Sequence, residues 1–187
     1  MTQDPDSASA PVEYRYEIDR DDRIRFVDWS WLEFARSNGA EDLTLARVIG
    51  ASLWTFIDGS EVLRVYGLLL ERVRRSRAES TIPFRCDAPE VRRDMELRVR
   101  VLPDGAVAIT GVLIHETPHP RVRVLDTWAP RSRHVVRMCS WCKRTLMGTE
   151  WVDVEAADAL WADADDGDPP RVRHGICPRC EAVLIRA

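Results

Sequence analysis

The chain has 187 residues, of which 45% are hydrophobic and 31% charged, with a formal net charge of −4 at pH 7. That is enough chain for one good core and a small additional module, and the acidic balance excludes a general electrostatic attraction to nucleic acid. No apolar run reaches the length of a membrane span, and the first residues, Met1-Thr-Gln-Asp-Pro-Asp6, lack the basic and apolar regions of a secretory signal, so a soluble cytoplasmic protein is expected.

Residues 1–11 are polar and carry Pro, Ser and Ala, the composition of a disordered tail. Residues 13–19 place Tyr14, Tyr16 and Ile18 on one face, and after a polar turn residues 23–28 place Ile24 and Phe26 likewise, which predicts a β-hairpin. Residues 29–37 read as a short amphipathic helix that ends near Asn38-Gly39, and residues 52–57 as a further helical turn. Over residues 60–77, Val62, Val65, Tyr66, Leu69 and Val73 recur at three- and four-residue steps, one continuous apolar stripe with Ser60 as its candidate cap. Arg72, Arg74, Arg75 and Arg77 fall at the end of that helix, where cations complement the dipole.

Three strands follow, over 81–87, 94–102 and 106–116, the last two joined by the turn sequence Pro103-Asp-Gly105. In the second, Met95, Leu97, Val99 and Val101 alternate with Glu96, Arg98 and Arg100, so one face is buried and one is wet. Thr117-Pro-His-Pro120 then opens a connector over 117–134.

Residues 135–187 carry two matched pairs, Cys139-Ser-Trp-Cys142 and Cys177-Pro-Arg-Cys180. Two residues between paired cysteines let both sulfurs of one tight turn face the same ion, so each pair is half of a tetrahedral site, and structural zinc is the expected occupant. Disulfides or a redox dithiol are the alternatives; the first needs an oxidising compartment and the second a single pair in a thioredoxin-like setting. Four cysteines close the shell, which leaves His174 and His134 as outer support or replacement ligands. Between the pairs, Trp151, Val152 and Val154 predict a short strand, residues 155–164 a helix and residues 165–170 a loop; residues 181–186 close the chain with a short helix. That order resembles a treble-clef or zinc-ribbon-like finger. Cys86, alone at a strand end, reads as a half-buried small hydrophobe.

Two strands, short helices, one longer helix and three antiparallel strands over residues 12–116 make the order of a PAS domain. Residues 16–28, 31–39 and 49–57, the last with Gly50-x-x-x-Trp54-x-x-Ile57, look like the opening of a bacterial PAS sensor. Pro83-Phe-Arg-Cys-Asp-Ala-Pro89 and Arg93-Asp-Met-Glu-Leu97 are similar to a subgroup of proteobacterial PAS-like proteins, which carries a tail like Met138-Cys-Ser-Trp-Cys-Lys-Arg144 with His174-Gly-Ile-Cys-Pro-x-Cys180. The resemblance implies an α+β fold: a five-stranded antiparallel sheet with helices on one face and a pocket between the sheet and the longer helix. It also implies a sensory or signal-transduction protein acting through ligand sensing, homodimerisation or binding of a partner protein.

Trp29, Trp31, Trp54, Phe56 and Tyr66 are the candidate pocket residues. Residues 29–77 contain no Asn-Cys-Arg-Phe-type motif, no cysteine and no histidine, so neither flavin photochemistry nor haem ligation is expected. No phosphate loop, nucleophile elbow or kinase signature appears, which predicts a protein that is not an enzyme. A second reading is a zinc-finger regulator that binds nucleic acid through Arg131, Arg133, Arg137, Lys143 and Arg144; the acidic residues over 158–168 oppose it.

Overall fold

The computed structural model describes residues 11–162 and 168–186. The expected tail lies outside the described residues apart from Pro11, as do the first half of the expected 165–170 loop and the last two residues of the helix expected over 155–164.

The first sheet contains β1 (Glu13–Ile18), β2 (Ile24–Val27), β3 (Ser80–Arg85), β4 (Val91–Val101) and β5 (Val107–Pro118), all antiparallel, in the order β2-β1-β5-β4-β3. Between β2 and β3 the chain forms α1 (Trp29–Ser37), α2 (Leu45–Val48), a 3₁₀ turn (Leu53–Phe56) and α3 (Ser60–Ser76). The carboxylate of Asp28 caps α1 by accepting the Trp31 N–H at 2.6 Å. One turn of helix is too short to show a period, which is why α2 does not stand out in the sequence.

The apolar stripe of α3 buries Val62, Val65, Leu69, Leu70 and Val73, and these pack with Ile18, Ile82, Leu97, Val99 and Ile109 of the sheet. Each such fully buried aliphatic side chain stabilises the fold by about 1.5–3 kcal/mol relative to exposure. The start of α3 corrects an expectation: Ser60 is already helical, and Gly59 (φ 92°) stands at the cap position with no side-chain capping bond. Glycine is needed there because the backbone turns tightly against the carbonyl of His174.

The second sheet contains β6 (Val135–Cys139), β7 (Thr145–Met147), β8 (Glu150–Val152) and β9 (Arg171–Gly175), in the order β8-β7-β6-β9, with β6 and β9 parallel. Val154, assigned to a strand by sequence, instead begins α4 (Val154–Ala162); α5 (Pro178–Arg186) follows the second cysteine pair. The stretch read as a connector is pinned rather than loose. It contains a 3₁₀ turn (Arg123–Leu125), Val122 and Val124 are buried with Met138 and Val154, and the Asp158 carboxylate accepts the Val124 N–H at 2.9 Å.

The two sheets share one core. Cys139, Trp141, Ile176, Cys177 and Leu184 from the cysteine-bearing part belong to the same buried cluster as the α3 stripe. Polar links reinforce it: Glu61 pairs with Arg137, Arg64 with Glu181, and Arg85 with Glu155 at 2.5 Å. The Arg85 backbone N–H donates to the Trp141 carbonyl at 2.7 Å. Among the described residues, no helix is long and apolar enough to cross a membrane.

Candidate metal centre

Two local structures build the centre. The first is the turn between β6 and β7: the Cys139 N–H donates to the Arg144 carbonyl at 2.8 Å, the Lys143 N–H donates to the Cys139 carbonyl at 3.0 Å, and Lys143 takes a left-handed φ of 63°. That tight reversal faces Cys139 and Cys142 the same way. The second is the start of α5, where Pro178 occupies the first helical position with φ preset for a helix and no N–H to satisfy. Cys177 precedes it, and the Cys180 N–H donates to the Cys177 sulfur at 3.4 Å.

Parallel pairing of β6 with β9 brings the halves together, because its register sets Cys139 opposite Gly175, two residues before Cys177. The four sulfurs of Cys139, Cys142, Cys177 and Cys180 lie within 4.8 Å of one another, and no disulfide joins any of the five cysteines. Cys142 and Cys177 Sγ are 3.7 Å apart. A tetrahedron with metal–sulfur bonds of about 2.3 Å has edges of about 3.8 Å, so the donor set fits a metal ion held by four thiolates. The cluster is positioned to hold one.

The thiols interact strongly with each other. Hydrogen bonds from Cys142 and Cys180 hold Cys139 far below the ordinary thiol range, while the same contact with Cys139 pushes Cys142 up to about 12 and raises Cys180 as well. The contacts thus favour the charge on Cys139 over Cys142 and Cys180. A divalent cation supplies the charge that lets the remaining protons leave.

Neither histidine joins the shell. His174 sits on β9 with Nδ1 3.3 Å from Ser140 Oγ, and burial, with a contribution from Lys143, lowers its pKa. His134 lies beside a separate cleft formed with Val136, Leu146 and Trp161. Cys86 is not one of the four clustered sulfurs, and burial raises its thiol pKa, the setting of an inert small side chain.

The knuckle also walls a cavity of about 460 Å³ between the first sheet and α3. Tyr16, Trp31, Phe56, Tyr66, Phe84 and Leu97 line it from the first part of the chain; Ser140, Trp141 and His174 close it from the second. Of the pocket candidates, Trp31, Phe56 and Tyr66 are therefore at the cavity and two are not. Trp29 is 66% exposed at the first position of α1, and Trp54 turns its indole N–H to Asp22 at 3.0 Å. Both stand in the aromatic-rich stretch, and only the helix rotation tells them from Trp31 and Phe56. Sequence reasoning missed Trp141 as a cavity residue because its contacts come from α3 and β3, far away in the chain. Behind Trp141 a second cleft of about 440 Å³ is lined by Arg85, Arg144, Cys142 and Cys180 among others.

No protein-family model matches the chain, and no curated protein matches it.

Proposed function

We propose that the chain is a PAS-like sensory or signal-transduction protein, without catalytic activity, in which a structural zinc centre fixes one wall of a small-ligand cavity. The observation that carries this reading is the cavity itself, set between a five-stranded antiparallel sheet and the longest helix, with a volume inside the range of small-molecule sites. Zinc is the metal of choice because four cysteines give a soft, closed, tetrahedral shell with no position left for substrate. The centre then acts as a staple, and Cys139, Cys142, Cys177 and Cys180 hold it.

Asp58, Ser140 and His174 all line the cavity and invite comparison with a hydrolytic triad. The pairing does not support one. Ser140 meets His174 at Nδ1, the nitrogen that a triad uses for its carboxylate, and His174 has no carboxylate hydrogen-bond partner among the described residues. The reading as a nucleic-acid-binding finger also loses support from the fates of its basic residues. Arg137 pairs with Glu61, Arg144 with Asp153, Lys143 donates to the Ser140 carbonyl, and Arg131 donates to the carbonyls of Val124, Asp126 and Pro170. These side chains brace the fold instead of forming an open cationic surface.

Elemental analysis of purified protein, with native mass spectrometry of whatever travels with it and light scattering for self-association, tests the reading. One zinc per chain together with a small apolar ligand or a dimer is the expected result. A monomer that holds no zinc and is stabilised by no small molecule overturns it.

A further inference from the structure

Six aromatic side chains line the cavity between the first sheet and α3: Tyr16, Trp31, Phe56, Tyr66, Phe84 and Trp141. Tyr16, Trp31, Tyr66 and Phe84 pack against the main core yet are only half-buried, so each keeps accessible surface beside it. Neighbouring rings are tilted, by 60° between Tyr16 and Trp31 and by 56° between Tyr66 and Trp141, so the wall curves instead of lying flat. The face of an aromatic ring is the negative end of its quadrupole and attracts a cation within about 6 Å of the centroid. Elsewhere the chain supplies such cations itself: Arg15 stands over Phe26, Arg93 over Phe34 and Arg137 over Trp151. None of those three rings belongs to the cavity, and among the described residues no lysine or arginine lines it.

The formal charge at the cavity has one sign. Asp58 is the one carboxylate in the lining, it is exposed, and it has no hydrogen-bond or ion-pair partner among the described residues. Its charge acts on His174, which lines the same cavity, so carboxylate and imidazole stand near each other at the rim. Burial and the charge of Lys143 lower the His174 pKa, so at pH 7 the imidazole is neutral and sets no positive charge against Asp58. An anion entering here meets aromatic faces and a carboxylate, and both repel it. A compact primary ammonium carries three N–H donors that lose their water and find few acceptors in an apolar wall. A quaternary ammonium presents only C–H surface and needs no acceptor, so it is apolar to the touch and still charged.

We infer that the cavity binds a quaternary ammonium joined to a small apolar body, with the aromatic wall against the cation and Asp58 as its counter-charge. This rests on the ligand-sensing reading above and adds a ligand class to it. A volume of about 460 Å³ has room for the ammonium head together with one ring or a short alkyl chain.

The test uses the metal-loaded full chain, labelled with nitrogen isotope in tryptophan, and three probes of similar shape. Benzyltrimethylammonium carries the cation, neopentylbenzene is its neutral carbon isostere, and phenylmethanesulfonate is the matching anion. Binding is followed by titration of the indole signals, with that of Trp31 assigned by its loss in Trp31→Phe. Benzyltrimethylammonium is expected to bind roughly tenfold more tightly than neopentylbenzene, the margin of a desolvated cation–π contact, and to shift the Trp31 signal. The sulfonate should bind weakest of the three. Asp58→Asn removes an exposed, unpartnered charge, so the variant should fold, bind the cation severalfold more weakly and bind neopentylbenzene as before. Binding of neopentylbenzene or the sulfonate as tight as that of the cation overturns the ligand class and leaves ligand sensing standing. Cation binding that leaves the Trp31 signal in place overturns the site, and cation binding undiminished in Asp58→Asn overturns the role of that carboxylate. Binding of none of the three overturns the ligand class, whereas the sensing reading itself falls only if no small molecule at all stabilises the protein.

Discussion

Glu61, in the first turn of α3, accepts the backbone N–H of Ile176 at 3.1 Å, one residue before Cys177. The same carboxylate pairs with Arg137 on β6, so one acid from the first part of the chain ties the strand that ends in Cys139 to the residue that precedes Cys177. The hydrogen bond from Ile176, followed by that from Arg137, keeps the Glu61 carboxyl below its ordinary value of 4.5.

That depression sets the direction of a pH effect. A carboxyl with a lowered folded-state pKa contributes stability that is fully present above its unfolded value and is lost as pH falls through the folded value. Glu61→Gln is therefore expected to destabilise the protein at neutral pH, by about 1 kcal/mol or less because the pair is partly exposed and screened. The difference from wild type should shrink toward zero below pH 4.5. Thermal melts of the two proteins across that range check it, and a difference that is independent of pH rules out the carboxylate as its source.

Gly59 is a close backbone approach between the two parts of the chain. Its φ is 92°, and a Cβ there would stand 2.9 Å from the His174 carbonyl oxygen. Gly59→Ala adds backbone strain of about 1–3 kcal/mol, and the close contact adds more. At about 2–4 °C per kcal/mol for a chain of this size, the melting temperature should fall by several degrees. A melt within one degree or so of wild type would mean that α3 and β9 separate at little cost.

Metal removal should be the largest single perturbation. Apparent zinc-binding energies of about 10–16 kcal/mol for structural sites match or exceed the whole stability of an ordinary domain. Chelation is expected to lower the melting temperature by more than ten degrees or so, and Cys142→Ser to remove the bound metal. Because the thiols must lose protons to bind, metal affinity should fall as pH is lowered, and binding at constant pH should release protons measurable by calorimetry in buffers of different ionisation heat. Full metal content in Cys142→Ser sinks the assignment of that cysteine.

How much of this was legible in the sequence follows the range of the interactions. The strands of the first sheet announce themselves through period-two alternation, as in Met95, Leu97 and Val99, and α3 through its three- and four-residue stripe. The cysteine cluster is legible because Cys-x-x-Cys is a local turn signal. The strands β6, β7 and β9 are three to five residues long, too short for alternation to rise above chance, and the parallel β6–β9 pairing joins segments far apart in the chain. The shared core was hidden for the same reason: Trp141 and Leu184 meet the α3 cluster only through tertiary packing. Trp29 and Trp31 show the limit within one helix, since both are aromatic and two residues apart, and so on different sides.

Arg85 offers the sharpest test of that shared packing. Its guanidinium pairs with Asp87 and with Glu155 of α4, the side chain is 9% exposed, and Asp87 is fully buried. The Asp87 carboxylate also accepts the Arg93 N–H at 3.1 Å, a neutral partner that cannot balance its charge. Arg85→Met keeps much of the side-chain volume but leaves that buried carboxylate without its cation, which should cost about 3–5 kcal/mol in denaturant unfolding. Arg85→Lys keeps the charge yet replaces a planar fork by a single ammonium that cannot hold both acids in the same geometry, so an intermediate loss is expected. The backbone N–H of residue 85 still reaches the Trp141 carbonyl in both variants, so metal content should be unaffected. If Arg85→Met instead unfolds within about 1 kcal/mol of wild type, below the usual cost of a broken buried pair, then Asp87 reaches water and the contact between β3 and α4 is looser than its geometry indicates.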